Sequence, residues 1–480
     1  MITFLLCLSA LIGAYFVYGK YLDRQAGIDS EKPTPARRMA DGVDYIRMPR
    51  WRTFLIQLLN IAGTGPIFGA ILGACFGPVA FIWITLGGIF FGAMHDYMSG
   101  MMIVRGDGRS LPEIIGKYLG LGVRDFVRVF SIFLMVLVGA VFLLSPAQLL
   151  GTLVPSVPQT WWVGIILVYY VVATMLPVDK VIGKLYPIFG AALIMMALGL
   201  LGALLVGDYA IPEMTTFHNY QLNPHALPII PAMFITIACG AISGFHATQS
   251  PMMARCVGNE KECRMVFYGA MISESIIALI WAAVAMAFFG GAGSLSRIMA
   301  ENGNNPAWAV DVISRGTLGA IGSVLAMLGV VAAPITSGDT AFRSARLMIA
   351  DIFNIDQRPL VRRFMICLPL FAVGFGITLV DFGVLWRYFA WANQTLGTIV
   401  LWSIVVWLAS RGRNCVVAMV PAVCMTYVIT SFMFIGEQFF GMQNRVAAYA
   451  LAGVATLLIA AVVIKRILPY LSRKRDLIVD

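Results

Sequence analysis

Apolar runs of about 20 residues, the length of helix that crosses the hydrocarbon of a bilayer, follow one another along the chain. They fall near 2–19, 54–75, 78–104, 122–147, 160–177, 184–206, 229–249, 266–290, 316–336, 361–380, 384–409, 414–435 and 445–466, thirteen in all. The longest connections, 20–52, 207–228 and 290–315, are too short to fold as soluble domains. With 60% hydrophobic and 12% charged residues over 480 positions, and a mean hydropathy of +0.85, the chain reads as an all-α polytopic membrane protein.

The second run carries its own interruption, Asn60-Ile-Ala-Gly-Thr-Gly-Pro-Ile-Phe-Gly69. Pro66 lacks a backbone N–H, and Gly63 and Gly65 loosen the chain around Thr64, so the helix is expected to break there. In hydrocarbon each stranded backbone group costs several kcal/mol unless protein or a water-filled cavity satisfies it. A mid-membrane break therefore marks a polar binding site, with a simple proline kink as the plainer reading. The seventh run repeats the peculiarity in Phe234-Ile-Thr-Ile-Ala-Cys-Gly-Ala-Ile-Ser-Gly-Phe-His246, which places Gly240, Ser243, Gly244 and His246 at mid-depth.

Gly92-Ala-Met94 and Gly269-Ala-Met271 stand at the same separation as Gly63 and Gly240. The matches divide the chain into two five-helix repeats, 54–206 and 229–409, joined by an outer loop at 207–228. An extra helix and a basic loop (1–53) precede them, and two further helices with a basic tail (410–480) follow. Five is odd, so the second repeat enters from the opposite side. Inverted repeats with discontinuous first helices are the architecture of secondary transporters that bind substrate at the midplane.

The formal charge of +10 needs no nucleic acid partner, because Lys and Arg of a membrane protein collect in cytoplasmic loops. With the N-terminus outside, every inside connection is basic. Residues 20–52 carry eight Lys and Arg, Arg105, Arg109, Lys117 and Arg124 come next, and Lys180 with Lys184 follow. Then come Arg255, Lys261 and Arg264, a group from Arg343 through Arg358 to Arg363, Arg411 with Arg413, and the cytoplasmic tail Arg473-Lys-Arg475. Lys20 follows the first apolar run, whereas a cleaved signal peptide has its charge before it. The eight cysteines are scattered without a zinc or redox spacing, and no disulfide is expected.

A charge at a helix centre costs about 2.5–3.5 kcal/mol on insertion scales, so each one asks for a reason. His95 and Asp96 in the third run read as a proton or cation relay, or as a buried pair capping a neighbouring backbone. His246 reads as a substrate, metal or proton ligand, or as a packing residue. Glu274, between Ser273 and Ser275, reads as a proton carrier, with an ion pair to an arginine as the rival. Thr336-Ser337-Gly338-Asp339-Thr340 gathers oxygen ligands for Na⁺, which carbonyls freed at the first break would complete; the alternative makes Asp339 the cap of a following helix. Asn393 and Gln394 place two amides in the eleventh run, lining a cavity or bonding between helices. Pro306 to Ile313 is an amphipathic piece suited to a lid, and Asp339 to Phe353 either continues the ninth run or lies on the membrane surface. No nucleophile–base set, Walker loop or zinc motif is present, so no enzyme activity and no resident cofactor are expected.

Together these segments resemble the carbon starvation protein A family. The resemblance rests on Asp41-Gly-Val-Asp-Tyr45, Ala62-Gly-Thr-Gly-Pro66, Asp96-Tyr-Met98, the Phe234–His246 stretch, Tyr268-Gly-Ala-Met271 with Glu274-Ser275, Asp339, Arg343-Ser-Ala-Arg346 with Asp351, and Asn393-Gln394. His95 departs from the glutamine expected there, and the chain is shorter than the family's longer members. The resemblance implies a five-plus-five, leucine-transporter-like core of the amino acid–polyamine–organocation superfamily in a bacterial inner membrane. It also implies transport of peptides or of a small carboxylate such as pyruvate, coupled to H⁺ or Na⁺. A pyruvate or amino-acid symporter acting as a nutrient sensor, or a channel, is the alternative reading. Neither the oligomeric state nor a partner beyond the small-molecule substrate and lipid can be read from the sequence.

Overall fold

The computed structural model describes all residues except 42–44, 176, 177, 358 and 480, and describes no side chains for 174–185, 323, 327 and 471–479. Asp44 of the N-terminal motif, Arg358, and the side chains of Lys180, Lys184 and Arg473 to Arg475 thus lie outside the described residues. Among those described, the secondary structure is helix throughout, with no strand. Among the described residues nine helices are long and apolar enough to cross a membrane, or ten if Arg50–Ala62 and Gly65–Ala74, bent by 55°, form one broken span. The chain is an integral membrane protein.

Three further apolar runs do not pass that test among the described residues. The fifth is the short helix Gln159–Met175. The seventh is split into Ile229–Met233 with Phe234–Thr236 on one side and Gly244–Ala254 on the other. The ninth is a long path from Pro306 through a bend at Gly319 (φ 59°, ψ −142°) into Ala332–Phe353. The Pro306 piece is a helical segment set off from the rest of that path by the non-helical Gly319, with Ala307, Ala309, Val310 and Ile313 fully buried. Asp339 to Phe353 continues the ninth run as helix. Asp339 therefore sits inside a helix rather than at the start of one, which corrects the capping alternative.

The first break is built by glycine. Gly63 has φ 47° and ψ −139°, a conformation that side chains disfavour, and a Cβ there would lie 2.5 Å from the Phe142 ring. Pro66 then sits in the first turn of the next segment, where a missing N–H costs no helical bond. The second break runs from Ile237 through Gly240 (φ 67°) to an extended Ser243. The two breaks meet: a Cβ on Gly65 would lie 2.1 Å from Cβ of Cys239, and one on Gly73 2.2 Å from Ile237. Bare backbone is what allows this approach.

Polar contacts divide the connections between two faces. Arg105, on the first loop after the third run, makes two bonds to Glu260, at 3.0 and 2.7 Å, and donates to the carbonyls of Ala26 and Gly27. Arg255 donates to Gly108 O, Met48 N to Cys256 O, and Asn414 N to Gln25, so the loops expected to be basic gather on one face. On the other, Met1 and Thr3 bond Glu213, Tyr220 N donates to Phe76 O, and Arg445 reaches His225 O. Hydrogen bonds from the Met1 ammonium and from Thr3 hold the Glu213 carboxyl down at about 2.

The Arg105–Glu260 pair is almost fully buried, at 7% and 2% side-chain exposure. Removing one partner strands a buried charge, so Arg105→Ala is expected to cost about 3–5 kcal/mol. Thermal unfolding of the detergent-solubilised protein measures it, and the Arg105→Met, Glu260→Leu double variant is expected to recover most of the loss.

Candidate functional site

A helix broken in hydrocarbon must have its open backbone groups met from elsewhere. Four side chains from other helices do this here. Asn393 Oδ1 accepts from the backbone N of Phe245 (2.7 Å) and from Ser243 Oγ (3.0 Å), closing the N-terminus of Gly244–Ala254. Gln394 Nε2 donates to Phe234 O, and Trp83 Nε1 donates to Ile237 O at 3.2 Å. At the first break Ser337 Oγ lies 3.1 and 3.2 Å from the carbonyls of Leu59 and Asn60. Asn393 and Gln394 are thus braces of the second break, and Gln394 Oε1 is left buried without a partner.

The first turn of Gly244–Ala254 carries His246 into a fully buried chain of titratable groups. The Met94–Arg105 helix supplies Asp96, whose Oδ1 is 2.7 Å from Nδ1 of His95 and whose Oδ2 is 2.8 Å from Nδ1 of His246. A carboxylate only accepts, so both rings carry their proton on Nδ1 and present Nε2 outward. Nε2 of His246 lies 3.4 Å from Oε2 of Glu274, on the neighbouring Ala270–Phe288 helix. All four residues are 0% exposed. Among the described residues histidine, and no arginine, faces Glu274, which counts against the arginine-pair alternative. Neither Glu274 oxygen makes a hydrogen bond, and Cys239 Sγ completes a group whose ligand atoms all lie within 4.8 Å of one another.

The remaining residues form a second cluster on Ala332–Phe353. Thr336 and Thr340 donate to carbonyls of their own helix, Ala333 O and Ser337 O, and leave Ser337 alone among the three hydroxyls to reach the first break. Asp339 meets Tyr186 OH at 3.5 Å and Arg343 Nη2 at 3.3 Å. Gly63, Thr64, Gly65 and Pro66 lie at the first break, where Thr64 Oγ1 accepts from Ser145 Oγ at 3.5 Å. Gly240, Ser243 and Gly244 shape the second, and a Cβ on Gly244 would strike Gly397 N at 2.3 Å.

Sequence reasoning passed over Cys239, Trp83, Gln57 and Asn60. Both amide atoms of Gln57 and of Asn60 are buried without a partner, one turn apart on Arg50–Ala62. An unpartnered buried polar group costs about 1–3 kcal/mol, so these amides are set for a polar ligand or water. Their spacing of three on an apolar run was a legible signal; Trp83 had none.

The family follows from comparison. The sequence model of the carbon starvation protein CstA matches residues 1–157 and 150–314. The chain belongs to the CstA family. An uncharacterized membrane protein of Haemophilus influenzae is 43% identical over 60% of this chain and 91% of its own length. The peptide transporter CstA of Bacillus subtilis is 25% identical over 87% of this chain and 86% of its own. The pyruvate/proton symporter BtsT of Escherichia coli is 26% identical over 57% of this chain and 47% of its own. The fold is shared with MhsT solved with L-phenylalanine (TM-score 0.55, 13% identity, 87% of this chain and 99% of that one). It is also shared with the manganese transporter of Eremococcus coleocola, solved with an aromatic bis-isothiourea substituted compound (TM-score 0.52, 13% identity, 91% of this chain and 99% of that one).

If Asn393 braces the second break, Asn393→Ala should destabilise the protein by about 1–3 kcal/mol, because Phe245 N–H loses its buried acceptor. Asn393→Asp keeps that acceptor and should be milder. Melting curves in detergent compare the two.

Proposed function

We propose that this CstA-family chain is a secondary active transporter that imports peptides or a small carboxylate such as pyruvate by ion-coupled alternating access. The observation that carries the reading is the stacking of two broken helices, Gly65 on Cys239, with the buried His246–Glu274 contact attached to the second. Relatives named as a peptide transporter and a pyruvate/proton symporter support the cargo class. The half-helix N-terminus at Gly244 suits the substrate carboxylate, and carbonyls at the end of Arg50–Ala62 suit its amine or a cation.

A core of two inverted five-helix repeats within thirteen spans fits this reading. Gly63 and Gly240 both take positive φ, and the π-helical turns that begin at Gly87 and Arg264 stand at that same separation. The gathering of Arg105, Arg255 and Asn414 on one face, with Met1 beside Glu213 on the other, supports a cytoplasmic basic face and an outer N-terminus.

Coupling is to protons. With Nδ1 of His246 committed to Asp96, its Nε2 and the Glu274 carboxylate face each other, and one proton between them turns a repulsion into a bond. Opening the second break moves His246 against Glu274, which ties that proton to the transport step. Sodium is the second reading, favoured by Ser337 lying against the carbonyls of Leu59 and Asn60.

Purified protein in liposomes tests both. A proton gradient should drive accumulation of dipeptide or pyruvate in the wild type. Glu274→Gln should abolish accumulation and keep counterflow exchange, while Ser337→Ala should leave proton-driven uptake intact. Uptake driven by sodium and lost in Ser337→Ala would transfer the coupling to Na⁺; no gradient-driven uptake of either cargo would overturn the transport of these substrates.

A further inference from the structure

Three groups of different chemistry converge on the second break. Cys239 comes from its non-helical segment, His246 from the first turn after it, and Glu274 from the facing helix. Each can offer one ligand atom, all three residues are buried, and the atoms lie within 4.8 Å of one another. Thiolate, imidazole and carboxylate are the three ligand types that Zn²⁺ takes, at about 2.0–2.3 Å. A contraction of about 1 Å between the side chains brings such a cation within reach of all three.

The surroundings are built as they are around a metal-binding histidine. The ring nitrogen not used for the metal commonly donates to a carboxylate, which fixes the tautomer and orients the ring. Here Nδ1 of His246 lies 2.8 Å from Asp96 Oδ2, and Asp96 is itself held by His95 at 2.7 Å. Nε2 is thereby turned toward Glu274, whose two buried oxygens have no hydrogen-bond partner. Cys239 is fixed from behind by the bare backbone of Gly65, and its Sγ lies 3.6 Å from Asn393 Nδ2 and 3.9 Å from Ser243 Oγ.

We propose that Cys239, His246 and Glu274 form a three-ligand site for a Zn²⁺-class divalent cation, with the fourth position left to water or a substrate carboxylate. Occupancy ties the second break to the Ala270–Phe288 helix. It also displaces the proton between His246 and Glu274, so metal and proton compete for one place.

The probe is Co²⁺ titrated into the purified, tag-free, reduced full chain. One equivalent should bind with a sulfur-to-cobalt charge-transfer band and tetrahedral d–d bands, displaced by Zn²⁺ and weakened as the pH falls. Cys239→Ser should remove the charge-transfer band and lower the affinity at least roughly tenfold, and Glu274→Gln should lower it while keeping the band. Both variants are judged against their own metal-free melting curves. X-ray absorption of the Zn²⁺-loaded wild type needs no variant, and should give one sulfur among nitrogen and oxygen neighbours. A shell without sulfur, a charge-transfer band that survives in Cys239→Ser, or no stoichiometric binding overturns the site. Because binding is read without transport, these outcomes are independent of the transport reading.

Discussion

Hydrocarbon offers no hydrogen bonds, so a chain can leave the helix inside a membrane only where other protein groups take over its backbone. Much of the centre of this protein answers that demand. Asn393, Gln394, Trp83 and Ser337 reach from three helices to groups at the two breaks. Glycines at 65, 73 and 244 remove the side chains that would hold those helices apart. The breaks are costly to keep, and their bracing ties them to the rest of the molecule. A movement of either break must change what the bracing helices do, which is the coupling that the proposed alternating access would use.

The second demand is on charge. Asp96 and Glu274 are fully buried, and histidine rings answer both. An arginine pair would be permanent, because guanidinium does not give up its proton. Imidazole does, so the same positions that make the carboxylates tolerable are the ones to which the proton and metal proposals attach. Guanidinium pairs stand elsewhere, between two connections at Arg105 and Glu260 and within Ala332–Phe353 at Asp339 and Arg343.

The backbone plan was largely legible. Gly63, Gly65 and Pro66 announce a break because few other residues accept that conformation or lack the donor, and Gly240 with Gly244 repeats the announcement. The surprises came where one residue type serves two ends. Asp339 beside hydroxyls looks like a helix cap, yet the helix runs through it and Tyr186 and Arg343 take its carboxylate. Asn393 and Gln394 read as cavity lining or as bonds between helices, and they bond Phe245 N and Phe234 O, with Gln394 Oε1 left without a partner.

Hydrophobic run length, charge bias and the glycine–proline breaks are local properties, and they determined from the sequence alone that the chain is a many-helix membrane protein with discontinuous helices. Which polar groups meet is a property of packing between distant segments. His246 and Asp96 lie 150 residues apart, and Cys239 turns toward His246 and Glu274 only because its own segment is unwound. No local pattern encodes that proximity. The tertiary structure decided it, by bringing the second break, the Met94–Arg105 helix and the Ala270–Phe288 helix to one buried point.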